Sequence, residues 1–203
     1  MSENVIMKAW AYVAIILLVC ASCLAIGGEA VSESDYDIDA FGIITKYNGQ
    51  DSDIVIPGEI NGIPVTGIGE SAFEECGSIT SVAVSEGVMN IGEKAFAGCK
   101  SLKSIALPGS IKSIDSMAFH NDASLCSVYA ASLESWLSIA FADNSANPTQ
   151  YADNLFCGGI LLAEVTIPDD TQRIPDYAFF MYEGLTKLTI PEGVAQIGES
   201  NAS

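Results

Sequence analysis

The feature of this chain that most constrains its fold is a sequence period of 23 residues that begins near Ile54. Isoleucine, an alanine-phenylalanine pair, a cysteine and several aliphatic residues all recur in one register. The matching sets are Ile68, Ile91 and Ile114; Phe73, Phe96 and Phe119; Cys76 and Cys99; Ile79, Leu102 and Leu125; Val82, Ile105 and Val128; Ile167 and Ile190; Ile174 and Ile197. A fixed period of this size is typical of a solenoid built from stacked units.

Each unit contains two local patterns. Residues 102–108 alternate apolar and polar side chains and end at Pro108, which predicts a half-buried strand. Residues 91–99 predict a turn followed by a short helical piece, in which Phe96 fills the interior. A single unit buries too few apolar side chains to offset the entropy of ordering its backbone, so adjacent units must share hydrogen-bonded strands and one core.

The repeated motif resembles that of the BspA-type leucine-rich repeat family, as found in surface proteins of the Treponema pallidum type. It is Ile-Pro-x-x-Val-x-x-Ile-Gly-x-x-Ala-Phe-x-x-Cys-x-x-Leu, and residues 88–102 carry most of it. Residues 61–65 and 136–155 also resemble segments of that family. Two positions depart from the motif, because Asp122 replaces the third cysteine and Glu183 the next.

The resemblance implies a right-handed leucine-rich repeat solenoid of parallel strands alternating with short helices or 3-10 turns. It also implies a surface protein of a host-associated microbe, with a role in adhesion to matrix, host cells or other microbes. The family has no catalytic residues to carry over to this chain. The resemblance of the motif to this family is specific for fold and much less specific for function.

An apolar segment at residues 9–26 predicts a hydrophobic helix before the solenoid. It contains no charged residue, follows Lys8, and is followed by acids from Glu29 onward. Positive charge before such a segment and negative charge after it favour export of the remainder. Residues 1–28 are therefore predicted to be a cleaved or lipidated signal peptide or a retained membrane anchor, with a buried core helix as the remaining alternative. The predicted location is secreted or cell surface, with residues 9–26 as the membrane anchor if they are retained.

Residues 29–62 are predicted to connect this segment to the repeats. Residues 29–40 are acidic and small, which favours a flexible linker. Residues 41–62 are predicted to form an N-terminal capping hairpin that turns at Asn48-Gly49, because both residues accept positive φ.

The repeats are predicted at residues 63–130 and again at 163–203, on either side of an insert at residues 131–162. In the insert, Leu133, Trp136, Leu137, Ala140 and Phe141 would share one helical face, and a hairpin would turn at Gly158-Gly159. The last unit begins at Ile197, and Asn201-Ala202-Ser203 stand where Ala-Phe is expected. Because a solenoid normally needs a polar cap, this predicts either a truncated chain or an open face that docks on another chain.

The charge balance excludes several partners. The chain has 26 acidic and 8 basic residues and a net charge of −18. Nucleic acids and anionic lipids are bound largely through Lys and Arg, so neither is an expected ligand. Residues 35–46 imitate the start of a calcium loop, but Ala40 and Lys46 stand where the loop needs Gly and Glu, which favours a solvated segment. We predict no metal and no cofactor.

No catalytic constellation accompanies the single histidine. His120 lacks an associated nucleophile motif, so it is predicted to face solvent, and the chain is predicted not to be an enzyme. Trp136 is expected in the core rather than on a ligand platform. Cys76 and Cys99 occupy one slot of neighbouring units, within reach of a disulfide, but the interior position favours reduced, buried thiols.

The sequence therefore predicts a binding module whose ligand is a protein or glycan on host or neighbouring cells. The polar positions between core residues of the strands would carry that binding; they are Ser81, Lys103, Ser104, Ser127 and Lys187. The alternative is a truncated repeat fragment with a structural role, which would self-associate through its uncapped C-terminal repeat.

Overall fold

The structure of this chain is a computed structural model, and it describes residues 32–199. The predicted hydrophobic segment at residues 9–26 and the last four residues lie outside this range. Within it the chain forms a solenoid whose first five coils each contribute one strand to each of two six-stranded sheets. No helix in the described range is long and apolar enough to cross a membrane.

Sheet 1 has six strands, of which all but the first pair are parallel neighbours. In spatial order they are β1 (Tyr36–Ile38), β2 (Ile43–Tyr47), β6 (Gly67–Ile68), β8 (Asn90–Ile91), β10 (Ser113–Ile114) and β12 (Ala140–Phe141). The register joins the period-23 isoleucines directly, since Ile68 pairs with Ile91 and Ile91 with Ile114. All three are buried, so this row forms one wall of the core.

Sheet 2 faces it across the core and also has six strands. They are β3 (Asp53–Ile56), β7 (Ser81–Val84), β9 (Ser104–Leu107), β11 (Ser127–Ala130), β13 (Asn154–Cys157) and β14 (Ile160–Leu161). Alternation decides which side chains point inward: Val82 and Val84 are buried, whereas Ser81 and Ala83 are half-exposed. A small hairpin between coils contains β4 (Glu59–Ile60) and β5 (Ile63–Pro64).

The third side of each coil is a ladder of turns rather than the short helix predicted from sequence. Phe73 N donates to Ala95 O at 2.7 Å and Glu75 N to Ala97 O at 2.8 Å, both in the next coil. The residues between them, such as Glu74, donate locally to the carbonyl three positions back. Because alternate N–H groups are directed to the neighbouring coil, a continuous helix cannot form there.

Aromatic rings form a column through the interior, as the period predicts. Phe73, Phe96 and Phe119 are fully buried, with ring centroids 4.9 Å and 5.6 Å apart along the column. Tyr47 occupies the same slot in the first coil, 5.2 Å from Phe73. Tyr36 lies beside this end of the column, 5.2 Å from Tyr47 and 6.4 Å from Phe73. Stacked aromatic pairs stabilise the core by more than the burial of their apolar area alone.

The N-terminal region differs from the predicted linker and hairpin. Residues expected in the acidic linker form β1, which pairs antiparallel with β2. Strands β2 and β3 flank Asn48-Gly49 but belong to different sheets, so no hairpin forms there. The turn that joins β1 to β2 is instead stabilised by Asp39, whose Oδ1 accepts hydrogen bonds from the amides of Phe41 and Ile43.

The insert also differs from the predicted long helical face. Helix α1 (Leu133–Trp136) has four residues and begins with a capping box between Ser132 and Ser135. Ala140 and Phe141 belong to strand β12 instead, which pairs with β10. The edge of sheet 1 therefore recruits the end of this segment, and the insert is a longer coil of the same solenoid. Strands β13 and β14 pair antiparallel across Gly158-Gly159, where the sequence places a turn.

After β14 the coils resume as two separate pairs of strands. They are β15 (Glu164–Thr166) with β17 (Lys187–Thr189), and β16 (Arg173–Ile174) with β18 (Gln196–Ile197). Two 3-10 turns, at Asn144–Ala146 and Pro148–Gln150, lie in the preceding coil, and a third at Glu33–Asp35 precedes β1.

Candidate binding surfaces

The outward face of sheet 2 presents two parallel rows of side chains at right angles to its strands. The register places Ser81, Ser104 and Ser127 side by side, which brings together three of the five predicted binding residues. The same row continues to Asp53 at one end and Asn154 at the other. Adjacent members are one strand spacing apart, roughly 4.8 Å.

Asp53 organises the N-terminal end of this row. Its Oδ1 accepts hydrogen bonds from the hydroxyls of Ser81 and Thr80, the latter at 2.9 Å. The hydrogen bond from Ser81, with those from Thr80 and Ser52 and the nearby charge of Lys103, holds the pKa of Asp53 below its usual value. The carboxylate therefore stays ionised and fixes the neighbouring hydroxyls.

We call the set Asp53, Thr80, Ser81, Lys103 and Ser127 the polar edge of sheet 2. Lys103 is exposed, and Ser81 and Ser127 are half-exposed, so these three predicted residues are accessible. The 23-residue pattern does not identify Asp53 and Thr80 as members of this set. Asp53 lies 28 positions before Ser81, outside the 23-residue register, but it begins the same kind of strand, and this could have identified it.

Two of the predicted binding residues do not belong to this accessible edge. Ser104 is only 5% exposed, so its place in the outward row does not make it available to a ligand. Lys187 is exposed but lies on β17, in the separate two-stranded sheet. A side chain that points outward is not always exposed, because large neighbouring side chains can bury a small one.

The second outward row is apolar and ends in an aromatic pair. Tyr129 and Phe156 are adjacent in register and stack with centroids 4.8 Å apart and planes 9° from parallel. Each is 7% exposed. Beyond them in register, β14 carries Leu161, which is 37% exposed. The rows therefore differ in chemistry, with the hydroxyls and charges on one side and a compact apolar strip on the other.

The histidine, the tryptophan and the two motif cysteines were the remaining side chains considered for a chemical role. His120 is exposed, with its Nδ1 3.4 Å from the Tyr151 hydroxyl. Trp136 is fully buried and donates from Nε1 to Ala178 O. Cys76 and Cys99 are free thiols; Cys99 is fully buried, and burial raises the pKa of both. Between residues 32 and 199 no group of His, Cys, Asp and Glu is arranged to hold a metal ion.

The slot of the motif cysteine is occupied by Asp122 in the fourth coil. Asp122 is fully buried, and neither carboxylate oxygen makes a well-formed hydrogen bond. Burial raises its pKa to about 8, opposed only in part by the amides of Cys99 and Gly98. In the later coil the slot holds Tyr182, not Glu183 as the sequence alignment placed it, because the amide of Tyr182 donates to Phe179 O in the motif pattern.

These sheets, the turn ladder and the internal phenylalanine column define a leucine-rich repeat solenoid. The family model of the BspA type leucine rich repeat region matches residues 53–154 and 149–201, in six copies. The chain therefore belongs to the BspA-type leucine-rich repeat family, as the motif suggested. No curated protein sequence matches it.

Solved structures agree with this assignment. The leucine-rich repeat protein of T. pallidum is 28% identical with a TM-score of 0.50, and the match covers 80% of this chain and 82% of that one. A leucine-rich cell surface protein of Faecalibacterium prausnitzii is 25% identical with a TM-score of 0.55, covering 91% and 47%. A leucine-rich repeat protein of Bacteroides ovatus, 22% identical with a TM-score of 0.51 over 85% and 42%, supports the fold alone.

Proposed function

We propose that this chain is an exported binding protein that recognises a protein or glycan ligand on host or neighbouring cells through the polar edge of sheet 2. The observation that carries the proposal is the fixed arrangement of Asp53, Thr80 and Ser81 by hydrogen bonds across two adjacent coils. A surface whose polar groups are already ordered loses little entropy on binding.

The chemistry of the edge favours a polar, hydrogen-bonding ligand. Hydroxyls recur at the strand spacing, and Lys103 supplies an exposed cation near the Asp53 carboxylate. Sugars and polar peptides present donors and acceptors that such a mixed row can pair with. The chain's net charge of −18 disfavours polyanions.

Export and a surface location are part of the same proposal. The uncharged segment at residues 9–26 and the acids that follow it support translocation. One similar solved protein, from F. prausnitzii, is described as a cell surface protein. Whether residues 1–28 are cleaved, lipidated or retained can be read from the mass and membrane fraction of the mature protein.

A binding screen with two matched lysine variants tests the proposal. The full chain is screened against matrix proteins, glycans and microbial cells, followed by Lys103→Glu and Lys100→Glu, which change charge equally at exposed positions. We expect Lys103→Glu to weaken binding about tenfold, with little change for Lys100→Glu. Absence of any ligand, or equal loss in both variants, would contradict the proposal.

The exposed interior of the last described coil favours a second candidate, a structural role in pairing with another repeat chain. Ile197 is 53% exposed, whereas Ile174 in the same slot one coil earlier is fully buried. Ile190 is 38% exposed, whereas its counterpart Ile167 is fully buried. Exposed apolar surface of this kind, beside the strand edges of β17 and β18, is typical of a face that packs on another element.

Light scattering of two isoleucine variants tests this pairing. We expect the full chain to be dimeric at micromolar concentration and Ile197→Asp to be monomeric, because a buried carboxylate opposes association. Ile160→Asp, at an exposed site on β14, should remain dimeric. A monomeric parent chain, or loss of the dimer in both variants, would rule out pairing through this face.

A further inference from the structure

The stacking of coils is interrupted between the fifth and sixth coils, and sheet 2 gains a strand there. Strand β14 runs antiparallel on the free edge of β13, and the next strand, β15, pairs with β17 in a separate sheet. One additional strand position therefore exists in sheet 2 at the point where the regular parallel ladder stops.

The turn side of the same junction is joined by side chains rather than by backbone. Asn147 Nδ2 donates to Tyr177 O at 2.6 Å, and Trp136 Nε1 donates to Ala178 O at 2.9 Å. In the regular coils the carbonyl that corresponds to Ala178 O accepts directly from a backbone amide, as Ala95 O does from Phe73 N. Side-chain donors therefore replace this part of the backbone ladder between the fifth and sixth coils.

Sheet 1 has a cleft at this junction instead of a strand. The cleft has a volume of about 270 Å³ and lies between β12 and β16. Its lining includes the apolar Leu137, Ile139 and Phe141 and the polar Ser138, Arg173 and Asp176. Within residues 32–199 no backbone pairing joins β12 to β16. The junction thus carries an additional strand in sheet 2 and an open cleft in sheet 1.

The backbone groups of both strands are directed into this cleft. Ala140 N and Ala142 N donate to Lys112 O and Ile114 O on the opposite side. In a parallel ladder the intervening residue directs its N–H and C=O the other way, so those of Phe141 face the cleft. By the same alternation, Gln196 N and Gly198 N donate to Gln172 O and Ile174 O, and the peptide groups of Arg173 face the cleft.

We propose that this cleft binds an extended peptide of a partner protein as an added strand of sheet 1, between β12 and β16. Strand addition suits this site because the peptide groups of Phe141 and Arg173 face the cleft from its two sides, and the ligand's main chain supplies the hydrogen bonds. The next cleft-facing residue, Pro175, has no N–H to donate, so Arg173 supplies the backbone donor on the β16 side. The peptide's inward residue would be apolar, because its neighbours in the row are Phe141 and Ile174, both buried.

Arg173 determines which type of residue the bound peptide presents at its outward position. It lies in the outward row with Ala140, its side chain is 50% exposed, and one of its N–H groups is bonded to Asp176 Oδ2 at 2.7 Å. Guanidinium carries further donors, and carboxylates are its preferred partners. The ligand is therefore an extended segment in which an acidic residue precedes an apolar one.

A designed peptide tests strand addition directly. The probe is acetyl-Ile-Lys-Asp-Ile-Ser-amide with a fluorescent label, a sequence based on strand β10 and its neighbours with the acid placed beside Arg173. It is titrated with the full chain at physiological salt, alongside the same peptide with N-methylated backbone amides. We expect saturable binding of the parent probe and about tenfold weaker binding after N-methylation, because the ladder hydrogen bonds are lost.

Three protein variants locate the binding. Ser138→Trp fills the cleft and should abolish binding. Thr45→Trp changes an exposed position on β2 of the same sheet and should leave binding unchanged. Arg173→Gln should weaken binding of the acidic probe to the level measured for a probe with Ser in place of Asp. Failure of the parent probe to bind, equal binding of the N-methylated probe, or equal loss in both tryptophan variants would overturn the proposal.

Discussion

Replacing Phe96 by alanine is expected to lower the free energy of unfolding by about 3–5 kcal/mol, as for other fully buried aromatic residues. Phe96 is the middle ring of the internal column and contacts Phe73 on one side and Phe119 on the other. The cavity left by Phe96→Ala therefore removes packing from three successive coils. Urea denaturation followed by circular dichroism measures the loss.

The control for this variant is Phe41→Ala. Phe41 is 83% exposed at the turn between β1 and β2, so its removal should change stability by no more than about 0.5 kcal/mol. Because each coil contacts only its neighbours, amide exchange in β6 and β10, the sheet 1 strands of the two adjacent coils, should show whether the loss spreads. Equal stability of Phe96→Ala and the parent would contradict a continuous aromatic core.

The repeating part of this fold could be predicted from the sequence because each core slot returns every 23 residues. A single periodic register places Phe73, Phe96 and Phe119 in one column without knowledge of any distant contact. The stacking of strands follows from that register, because no unit can bury its apolar side chains alone.

The capping region could not be predicted in the same way. Asn48-Gly49 and Asn61-Gly62 carry equal local turn signals, but only the second pair adopts positive φ at both residues, between β4 and β5. Which turn closes a hairpin is decided by where the flanking strands find partners. For β2 and β3 those partners lie in different sheets.

The insert shows a similar limit. Residues 133–141 have apolar spacing compatible with a helix, but the capping box at Ser132 stabilises only the first turn. The free edge of β10 then pairs with Ala140 and Phe141. A long-range ladder overrides the local period, and nothing within the segment itself indicates that partner.

The sequence period places some residues of the polar edge on the outward face but does not report their exposure. Period two correctly places Ser81 and Ser127 on the outward face, but it gives no measure of how deeply Ser104 is covered. The cleft between β12 and β16 could not be predicted, because it depends on which strands of successive coils pair rather than on any one residue's type.

The second large effect is expected at Asp122, the acidic residue in the slot of the motif cysteine. Its pKa is raised by burial from 3.8 to about 8 in the folded chain. Between these two values the folded chain holds a proton that the unfolded chain has lost. The free energy of unfolding must therefore fall as pH rises through this window, at up to about 1.4 kcal/mol for each pH unit.

Asp122→Cys restores the motif and should remove this dependence. Well below pH 3.8 both side chains are neutral in both states, so the parent and the variant should differ least at the acid end of the range. At pH 8 we expect the variant to be more stable by about 2–4 kcal/mol, less than the full shift implies because buried carboxylates gain some solvation by local relaxation. Denaturation of both proteins at intervals from pH 4 to pH 8 measures the difference.

The comparison isolates Asp122 from the other titrating groups. Asp53, Asp143 and Asp176 have lowered pKa values, so the stability they contribute is lost only as pH falls below about 4, and equally in both proteins. Burial raises the pKa of the Cys99 thiol above its usual value of 9.0, and a cysteine at position 122 would be buried in the same way, so neither should titrate in this range. A constant difference between the two proteins from pH 4 to pH 8 would mean that Asp122 is ionised in the folded chain, and that its carboxylate is solvated by water within the fourth coil.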